Sequence, residues 1–244
     1  MEDNPFSGIK TYDSYRHILE LFLFATVVCV ALSVGALVLF NKVLKLGVAD
    51  ISVWPFIQGV VYTVICLQVL KDRGVDFKAA WQDWDAKAGS DALNALKYFV
   101  GYLLIIGAML GLVMLAIRVS GLTEAVLVRR IGGGSQPAAA IQAVMVASRL
   151  EFALQLFSMC ILAPIGEELF FRRIIYTTLR KKMSFLRALF AASVLFAVAH
   201  GAASLLVFPV SLLLCYVYEK ERRLPVNIML HGLINLLVAF VKVT

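Results

Sequence analysis

Long runs of apolar residues recur along the chain and are separated by short polar stretches. A helix needs about 20 mostly apolar residues to cross the hydrocarbon layer of a membrane, and several of the runs reach that length. The pattern therefore predicts an all-α, polytopic transmembrane helical bundle of about seven spans. Residues 138–148 could add an eighth, short or interfacial helix. The main runs cover approximately residues 18–40, 52–70, 95–117, 150–180, 185–200, 203–218 and 226–242.

Two longer polar connections interrupt this row of helices. Residues 71–94 carry Trp81 and Trp84 among alternating charges, which is typical of an amphipathic segment at a membrane interface. Residues 118–137 end in a Gly-Gly-Gly-Ser-Gln-Pro cluster, which favours the end of a helix and which we interpret as a hinge. The hinge divides the chain into an N-terminal set of three helices and a C-terminal core, residues 1–137 and 138–244.

The composition agrees with a membrane protein. The chain is 61% hydrophobic and 16% charged, whereas soluble domains have about 45–50% apolar and about 25% charged residues. The net charge of +7 does not indicate a nucleic-acid partner, because the basic residues cluster at the ends of apolar runs. The four cysteines lie within apolar runs without C-x-x-C spacing. They are typical of small core residues and not of a disulfide framework or a zinc cluster.

The distribution of basic residues predicts the orientation of the bundle. With seven spans and a cytoplasmic N-terminus, 16 of the 23 Lys and Arg residues fall on the cytoplasmic side. The first apolar run is too long for the core of a cleavable signal peptide and is expected to be retained as a helix. The compact chain with short loops favours a multi-pass protein of the bacterial inner membrane.

Three short motifs place polar side chains inside predicted spans. Charged or polar groups are costly at membrane depth, so they usually face a protein interior or a water-filled cavity and mark function. These residue types can also activate water and stabilise an oxyanion. The motifs are Glu167-Glu168-x-x-x-Arg172, Phe196-x-x-x-His200 and His231-x-x-x-Asn235.

Helical spacing separates the two glutamates. Glu168 and Arg172 are four residues apart, so they share a helix face and are expected to pair. Glu167 is rotated by about 100° from Glu168 and points elsewhere. A solvated helix end at the membrane surface would explain the arginine. It explains the glutamates less well, because they interrupt an apolar run.

A hairpin of the fourth and fifth helices would bring Glu167 to His200. The turn is predicted at residues 181–184, and the two residues lie almost equally far from it in sequence. At a rise of about 1.5 Å per residue, both are roughly 25 Å from the turn. We therefore expect a carboxylate and an imidazole at the same height, with Phe196 on the histidine's face as a wall of the site.

The last motif has two interpretations. His231 and Asn235 share a helix face and offer two donors for an oxyanion site in a dry environment. Alternatively, they form ordinary hydrogen bonds between helices, each worth about 1 kcal/mol. Ser193, Ser204 and Ser211 lie in the same region, but none has an activating partner by spacing, and no Gly-x-Ser-x-Gly elbow is present.

The same residues could also supply a metal site. Glu167, His200 and His231 would provide the three protein ligands that catalytic zinc usually takes. However, no His-Glu-x-x-His motif is present, and each ligand would come from a different helix. We therefore favour activation of water by Glu167 and His200 without zinc or another cofactor.

The three motifs, in this order and spacing, resemble those of the CPBP family of intramembrane proteases. That family includes type II CAAX prenyl endopeptidases and bacteriocin-processing or self-immunity proteins. The resemblance covers about residues 148–242 and implies a catalytic cavity open to the cytoplasmic side and the bilayer. It also implies that Glu167 and His200 activate water, that His231 and Asn235 stabilise the oxyanion, and that Glu168 and Arg172 support the geometry.

Two classes of function follow from these observations. The first is an intramembrane glutamic endopeptidase that cleaves membrane-associated, prenylated or leader-peptide substrates. The alternative is a non-catalytic immunity or signalling-partner protein on the same scaffold. The complete motif set favours the enzyme, because a pure scaffold has little use for acid–base and oxyanion groups together. A proton-coupled transporter is a more distant alternative.

The predicted topology can be tested by cysteine labelling. A cysteine placed at Met183, in the predicted cytoplasmic turn, should react with a membrane-impermeant maleimide only after cells are opened. A cysteine at Lys45, on the predicted opposite side, should react in intact cells and serves as the control. Labelling of position 183 from outside intact cells would refute the orientation.

Overall fold

The structure is a computed structural model that describes residues 4–45, 47, 50–120 and 149–243. Every regular element in these residues is helical, which confirms the all-α class. The predicted hinge cluster and residues 138–148 lie outside them. The helices are α1 Tyr15–Val38, continued by a π turn at Leu39–Val43; α2 Asp50–Asp72; α3 Phe77–Ser120; α4, a composite run of residues 149–180; α5 Phe185–Ala199; α6 Ser204–Glu221; and α7 Leu224–Val243.

Five of these helices are long and apolar enough to cross a membrane: Tyr15–Val43, Val53–Asp72, Phe77–Val119, Glu151–Arg180 and Leu224–Val241. Helix α5 is apolar but has only 15 residues. Helix α6 has 18 residues and ends in Glu219, Lys220 and Glu221, which shortens its apolar part. Helices therefore occupy all seven predicted positions, while a count of seven full spans and the orientation remain predictions.

Helix α3 differs from the sequence-based expectation. The polar segment predicted as a separate interfacial element is the first half of one helix of 44 residues. At about 1.5 Å per residue such a helix is about 66 Å long, roughly twice the hydrocarbon thickness. The polar half therefore extends beyond the apolar layer, and its two tryptophans, Trp81 and Trp84, are exposed and pack edge to face.

The polar half of α3 is held by the turn between α6 and α7. Arg223 donates hydrogen bonds to Asp91, which is fully buried, and to Asp83 at 2.8 Å. The hydrogen bond to Asp91 raises the pKa of the Arg223 guanidinium. Tyr98 and Asn94 donate to the Glu221 carboxylate at 2.6 and 3.1 Å. These contacts explain why the helix continues through a polar sequence.

One hydrophobic core joins the N-terminal helices to the C-terminal ones. Buried residues of α1 and α2 pack in the same cluster as those of α4, α5 and α6. Tyr62 of α2 stacks on Phe170 of α4 with ring centroids 4.4 Å apart, and Phe171 meets Phe196 of α5 edge to face at 4.8 Å. The division at residue 137 remains a prediction, but α1 and α2 share a core with the C-terminal helices.

The segment before α1 packs at the same end of the bundle as the α4–α5 turn. The Phe6 side chain is fully buried beside Tyr176 and Tyr218, with ring centroids 5.8 and 5.9 Å apart. Asn4 donates to the Arg180 carbonyl at 2.7 Å. The N-terminal segment and the predicted cytoplasmic turn therefore lie on one side of the bundle.

Glycines allow three helices to cross in close contact. A Cβ atom at Gly166 of α4 would lie 2.7 Å from the carbonyl oxygen of Gly59 in α2. One at Gly232 of α7 would lie 2.5 Å from the carbonyl oxygen of Cys160 in α4. Small residues at helix crossings permit this backbone approach in membrane proteins. Helices α2 and α7 thus both pack closely against α4.

Alanine at Gly232 should destabilise the bundle. The added methyl group would force α7 away from the Cys160 carbonyl, at a cost of about 1–3 kcal/mol for an overpacked site. Gly107→Ala is the matched control, because a Cβ atom there meets nothing within 4 Å. Thermal unfolding in detergent should show a lower midpoint for Gly232→Ala only, and equal midpoints for the two variants would contradict the proposed crossing.

Candidate active site

Helix α4 carries both glutamates and is irregular around them. It alternates between α-helical and π-helical segments, with π turns at Ser158–Leu162 and Glu168–Tyr176. Pro164 lies between the two and has no N–H to donate, which removes a helical hydrogen bond from the preceding turn. Such π segments are frequent at functional sites.

Glu167 is buried and faces three polar side chains from three other helices. Gln58 of α2 donates from Nε2 to Oε1 of Glu167 at 2.9 Å. Nε2 of His200 lies 4.0 Å from the same oxygen, and Nε2 of His231 lies 3.6 Å from Oε2. The hairpin of α4 and α5 therefore brings Glu167 and His200 together, as their distances from the turn predict.

His200 is held at the end of α5. Gly201 follows with a positive φ of 55° and marks the end of the helix, since glycine adopts this conformation without strain. The Nδ1 atom of His200 lies 2.8 Å from the Phe196 carbonyl oxygen. A carbonyl can only accept, so Nδ1 carries the proton and Nε2 faces Glu167.

Glu168 is the centre of a buried hydrogen-bond network. Its side chain is fully buried, and Arg172 donates to Oε1 at 2.9 Å, the ion pair expected from their spacing. His231 lies 2.8 Å from the same oxygen through Nδ1, and Asn227 donates to Oε2 at 3.2 Å. The second terminal nitrogen of Arg172 donates to Ser211 at 3.1 Å. The network thus joins α4 to α6 and α7.

His231 therefore bridges the two glutamates. Its Nδ1 atom donates to Glu168, because an ionised carboxylate can only accept, and this leaves Nε2 directed toward Glu167. The two glutamates leave α4 in different directions, as their 100° separation predicts, and they reach opposite nitrogens of one imidazole ring.

Phe196 forms an aromatic wall between these groups. Its ring is buried, with its centroid 4.4 Å from that of His200 and 5.9 Å from that of His231. The Arg172 guanidinium carbon lies 4.4 Å from the same centroid, in a cation–π contact. The ring therefore contacts Arg172 of the buried ion pair and both imidazoles.

Asn235 forms a hydrogen bond to another helix, as the second interpretation of its motif predicts. Its amide nitrogen donates to the Met159 carbonyl at 2.8 Å. That carbonyl belongs to the π turn before Pro164, where the proline cannot supply a backbone donor. One of the two amide N–H groups is thereby used in packing, and the other remains for a ligand.

Three contacting residues were not predicted to belong to the site. Gln58 lies in the apolar sequence of α2, outside the motifs. Asn227 is one turn before His231, so α7 carries the pattern Asn-x-x-x-His-x-x-x-Asn, and this repeat is the signal that could have revealed it. Ser211 had no partner by spacing, because its contact with Arg172 spans 39 residues.

The described residues contain no group of three His, Cys, Asp or Glu side chains placed to hold a metal ion. The nearest arrangement is Glu167 with the Nε2 atoms of His200 and His231, at the distances given above. Metal independence therefore remains a prediction.

Glu167 lies between two imidazoles and Glu168 holds the second of them, within a bundle that has five helices long and apolar enough to cross a membrane in the described residues. Residues 149–237 match the sequence profile of the Rce1-like family, described as type II CAAX prenyl endopeptidase Rce1-like. No curated protein and no solved structure matches the chain. Residues 149–237 thus resemble the Rce1-like family, as the CPBP resemblance predicts, and this match together with the apolar helices supports a membrane peptidase.

The buried ion pair gives a prediction for stability. Glu168→Gln leaves the Arg172 charge without its carboxylate partner, and breaking a buried pair costs about 3–5 kcal/mol. The double variant Glu168→Gln with Arg172→Met removes both charges and should recover part of the thermal stability lost in the single variant. Activity should stay low in both variants, because a neutral amide holds His231 less firmly than the carboxylate does. Full activity in the double variant would contradict a positioning role for Glu168.

Proposed function

We propose that the protein is an intramembrane endopeptidase in which Glu167 and His200 activate the attacking water. The observation that carries the proposal is the 4.0 Å separation between Oε1 of Glu167 and Nε2 of His200 inside a buried site. This distance is too long for a direct hydrogen bond and leaves both atoms within reach of one water molecule.

The hydrogen bonds of the two side chains support these roles. The Nδ1 proton of His200 is held by the Phe196 carbonyl, so the neutral ring offers the Nε2 lone pair to a water hydrogen. Glu167 would take the proton as the water oxygen attacks the peptide carbonyl carbon. When the C–N bond breaks, Glu167 would return that proton to the leaving amine.

His231 and Asn235 would stabilise the oxyanion of the tetrahedral intermediate. Nε2 of His231 lies on the Glu167 side of the ring, and Asn235 retains one amide N–H. Donation from Nε2 requires a proton on that nitrogen as well as the Nδ1 proton that Glu168 accepts. Preorganised donors in a dry site are usually the largest contribution to such catalysis.

Glu168 and Arg172 would act as positioning residues. Glu168 holds Nδ1 of His231, and Arg172 holds Glu168 while contacting the Phe196 ring. Neither needs to touch the substrate for this role. Fixed partners of this kind keep catalytic side chains within the narrow geometry that rapid proton transfer requires.

The proposed substrate is a membrane-associated peptide or protein, for example one with a prenyl group or a leader peptide. The match to a type II CAAX prenyl endopeptidase family supports this class. We place the protein in the bacterial inner membrane with its N-terminus in the cytoplasm. The shared position of the N-terminal segment and the α4–α5 turn supports their common side.

Glu167→Gln should abolish cleavage without loss of the folded protein. An amide cannot accept the water proton, and general-base assistance is worth about 10²–10⁴ in rate. Peptides released from membranes of cells that express wild type or variant would be compared by mass spectrometry, with monodispersity in detergent as the folding check. The same substitution at Glu151, near the start of α4, is the matched control and should preserve activity. Wild-type turnover by Glu167→Gln would refute the assignment of the base.

Activity should not depend on a tightly bound metal. In the proposed reaction, Glu167 and His200 activate water directly, so treatment of the purified protein with a strong chelator should leave the rate unchanged. Metal content would be measured on the same sample before and after treatment. Stoichiometric zinc, with activity lost on its removal and restored on its return, would make the protein a metallopeptidase and overturn this mechanism.

A further inference from the structure

A cavity of about 210 Å³ lies between α1, α2 and the end of α5. Its floor is made by buried side chains, whereas its rim is exposed at the lateral surface of the bundle. The floor consists of Cys29, Gln58 and Tyr62, and the rim includes Thr26, Trp54 and Val198.

The cavity adjoins the proposed hydrolytic pair through two of its lining residues. Gln58 lines the floor and donates to Glu167 at 2.9 Å. Ala199 also lines the cavity and directly precedes His200 in the chain. A group seated in the cavity would therefore lie beside the position at which water is activated.

The orientation of the Gln58 amide leaves one acceptor for a ligand. The Glu167 carboxylate can only accept, so the amide nitrogen of Gln58 must face it. The amide oxygen has no hydrogen-bond partner in the described part of the chain. The floor thus combines apolar walls with one carbonyl oxygen, an arrangement suited to an apolar side chain attached to a backbone N–H.

We propose that this cavity is the subsite for one apolar side chain of the peptide substrate, adjacent to the scissile bond. The amide oxygen of Gln58 accepts a backbone N–H of the same substrate segment. An apolar cavity of about 150 Å³ can hold benzene, so the available space accommodates an aromatic or branched aliphatic side chain. The proposal rests on the proposed peptidase function and assigns substrate selection to the N-terminal helices, outside the matched family region.

The chemistry of the floor favours a peptide over a lipid chain. A hydrocarbon chain has no donor for the Gln58 oxygen, and burying that acceptor without a partner would be costly. A peptide supplies both the apolar side chain and the donor, and its carbonyl group then lies near Glu167.

Two substitutions on α1 distinguish the cavity from the outer surface. Thr26→Trp places an indole at the rim, where it fills the mouth of the cavity. Val27→Trp is the matched control, because Val27 is 66% exposed and does not line the cavity. Both positions are exposed, so neither change disturbs the core.

Binding can be measured separately from cleavage. The Glu167→Gln variant in nanodiscs would be incubated with a synthetic pool of peptides that carry a Leu/Ala membrane-spanning segment followed by six randomised residues. Mass spectrometry of the retained peptides should show about tenfold enrichment of Leu, Met or Phe over Gly at one position. The enrichment should disappear when Thr26→Trp is added and persist when Val27→Trp is added.

The backbone contact has its own test. N-methylation of the selected peptide should weaken binding at one amide near the enriched position in a His200→Ala variant, which lacks the proposed water-activating imidazole and keeps the Glu167 carboxylate that orients Gln58. The same N-methylation should have no further effect when Gln58→Leu is also present, because the acceptor is already absent.

Several outcomes would overturn the proposal. These are the absence of any positional preference, an apolar preference that survives Thr26→Trp, or a phospholipid that co-purifies with Val27→Trp and not with Thr26→Trp. Cleavage of the same pool by the wild type tests the peptidase function independently. Selective binding without cleavage would refute the peptidase function but support the subsite. Cleavage without apolar selection would support the peptidase function but refute the subsite.

Discussion

The arrangement of the site depends on a fully buried carboxylate. Glu168 cannot remain ionised inside an apolar bundle unless donors surround it, and it receives them from Arg172, His231 and Asn227. These donors belong to α4 and α7, and Arg172 extends the network to α6 through Ser211. The requirement to satisfy one charge therefore fixes the relative positions of three helices and the orientation of the His231 imidazole. Glu167 lies outside this network, accepts from Gln58 and faces His200 at 4.0 Å.

Close packing brings the remaining helices within reach of this network. Gln58, Glu167 and His231 each adjoin a glycine at which two helices meet. A Cβ atom at any of these glycines would meet the backbone of the facing helix, so a larger residue there would push the helices apart and lengthen these contacts. At each crossing the glycine allows two helices to approach closely, and the polar residue next to it in sequence forms a contact between them. This pairing links the packing of the bundle directly to its chemistry.

Much of the fold and of the site could be predicted because both depend on local periodicity. Apolar runs gave the helix positions, and four-residue spacing gave the contact between Glu168 and Arg172. The approach of Glu167 to His200 followed from a short turn between antiparallel helices. The contact of Gln58 could not be predicted, because it spans 109 residues and depends on how α2 crosses α4. The continuous α3 was also missed, since its polar half is held by distant partners such as Arg223.

Both imidazoles are tethered at Nδ1, one by a backbone carbonyl and the other by Glu168. A ring flip of either histidine would exchange nitrogen for carbon at the tether and break that hydrogen bond inside a water-poor space. Each ring therefore has one rotational state and one reactive nitrogen. In the proposed reaction, this tethering would leave no conformational search between one cycle and the next and little reorganisation of the protein within the barrier.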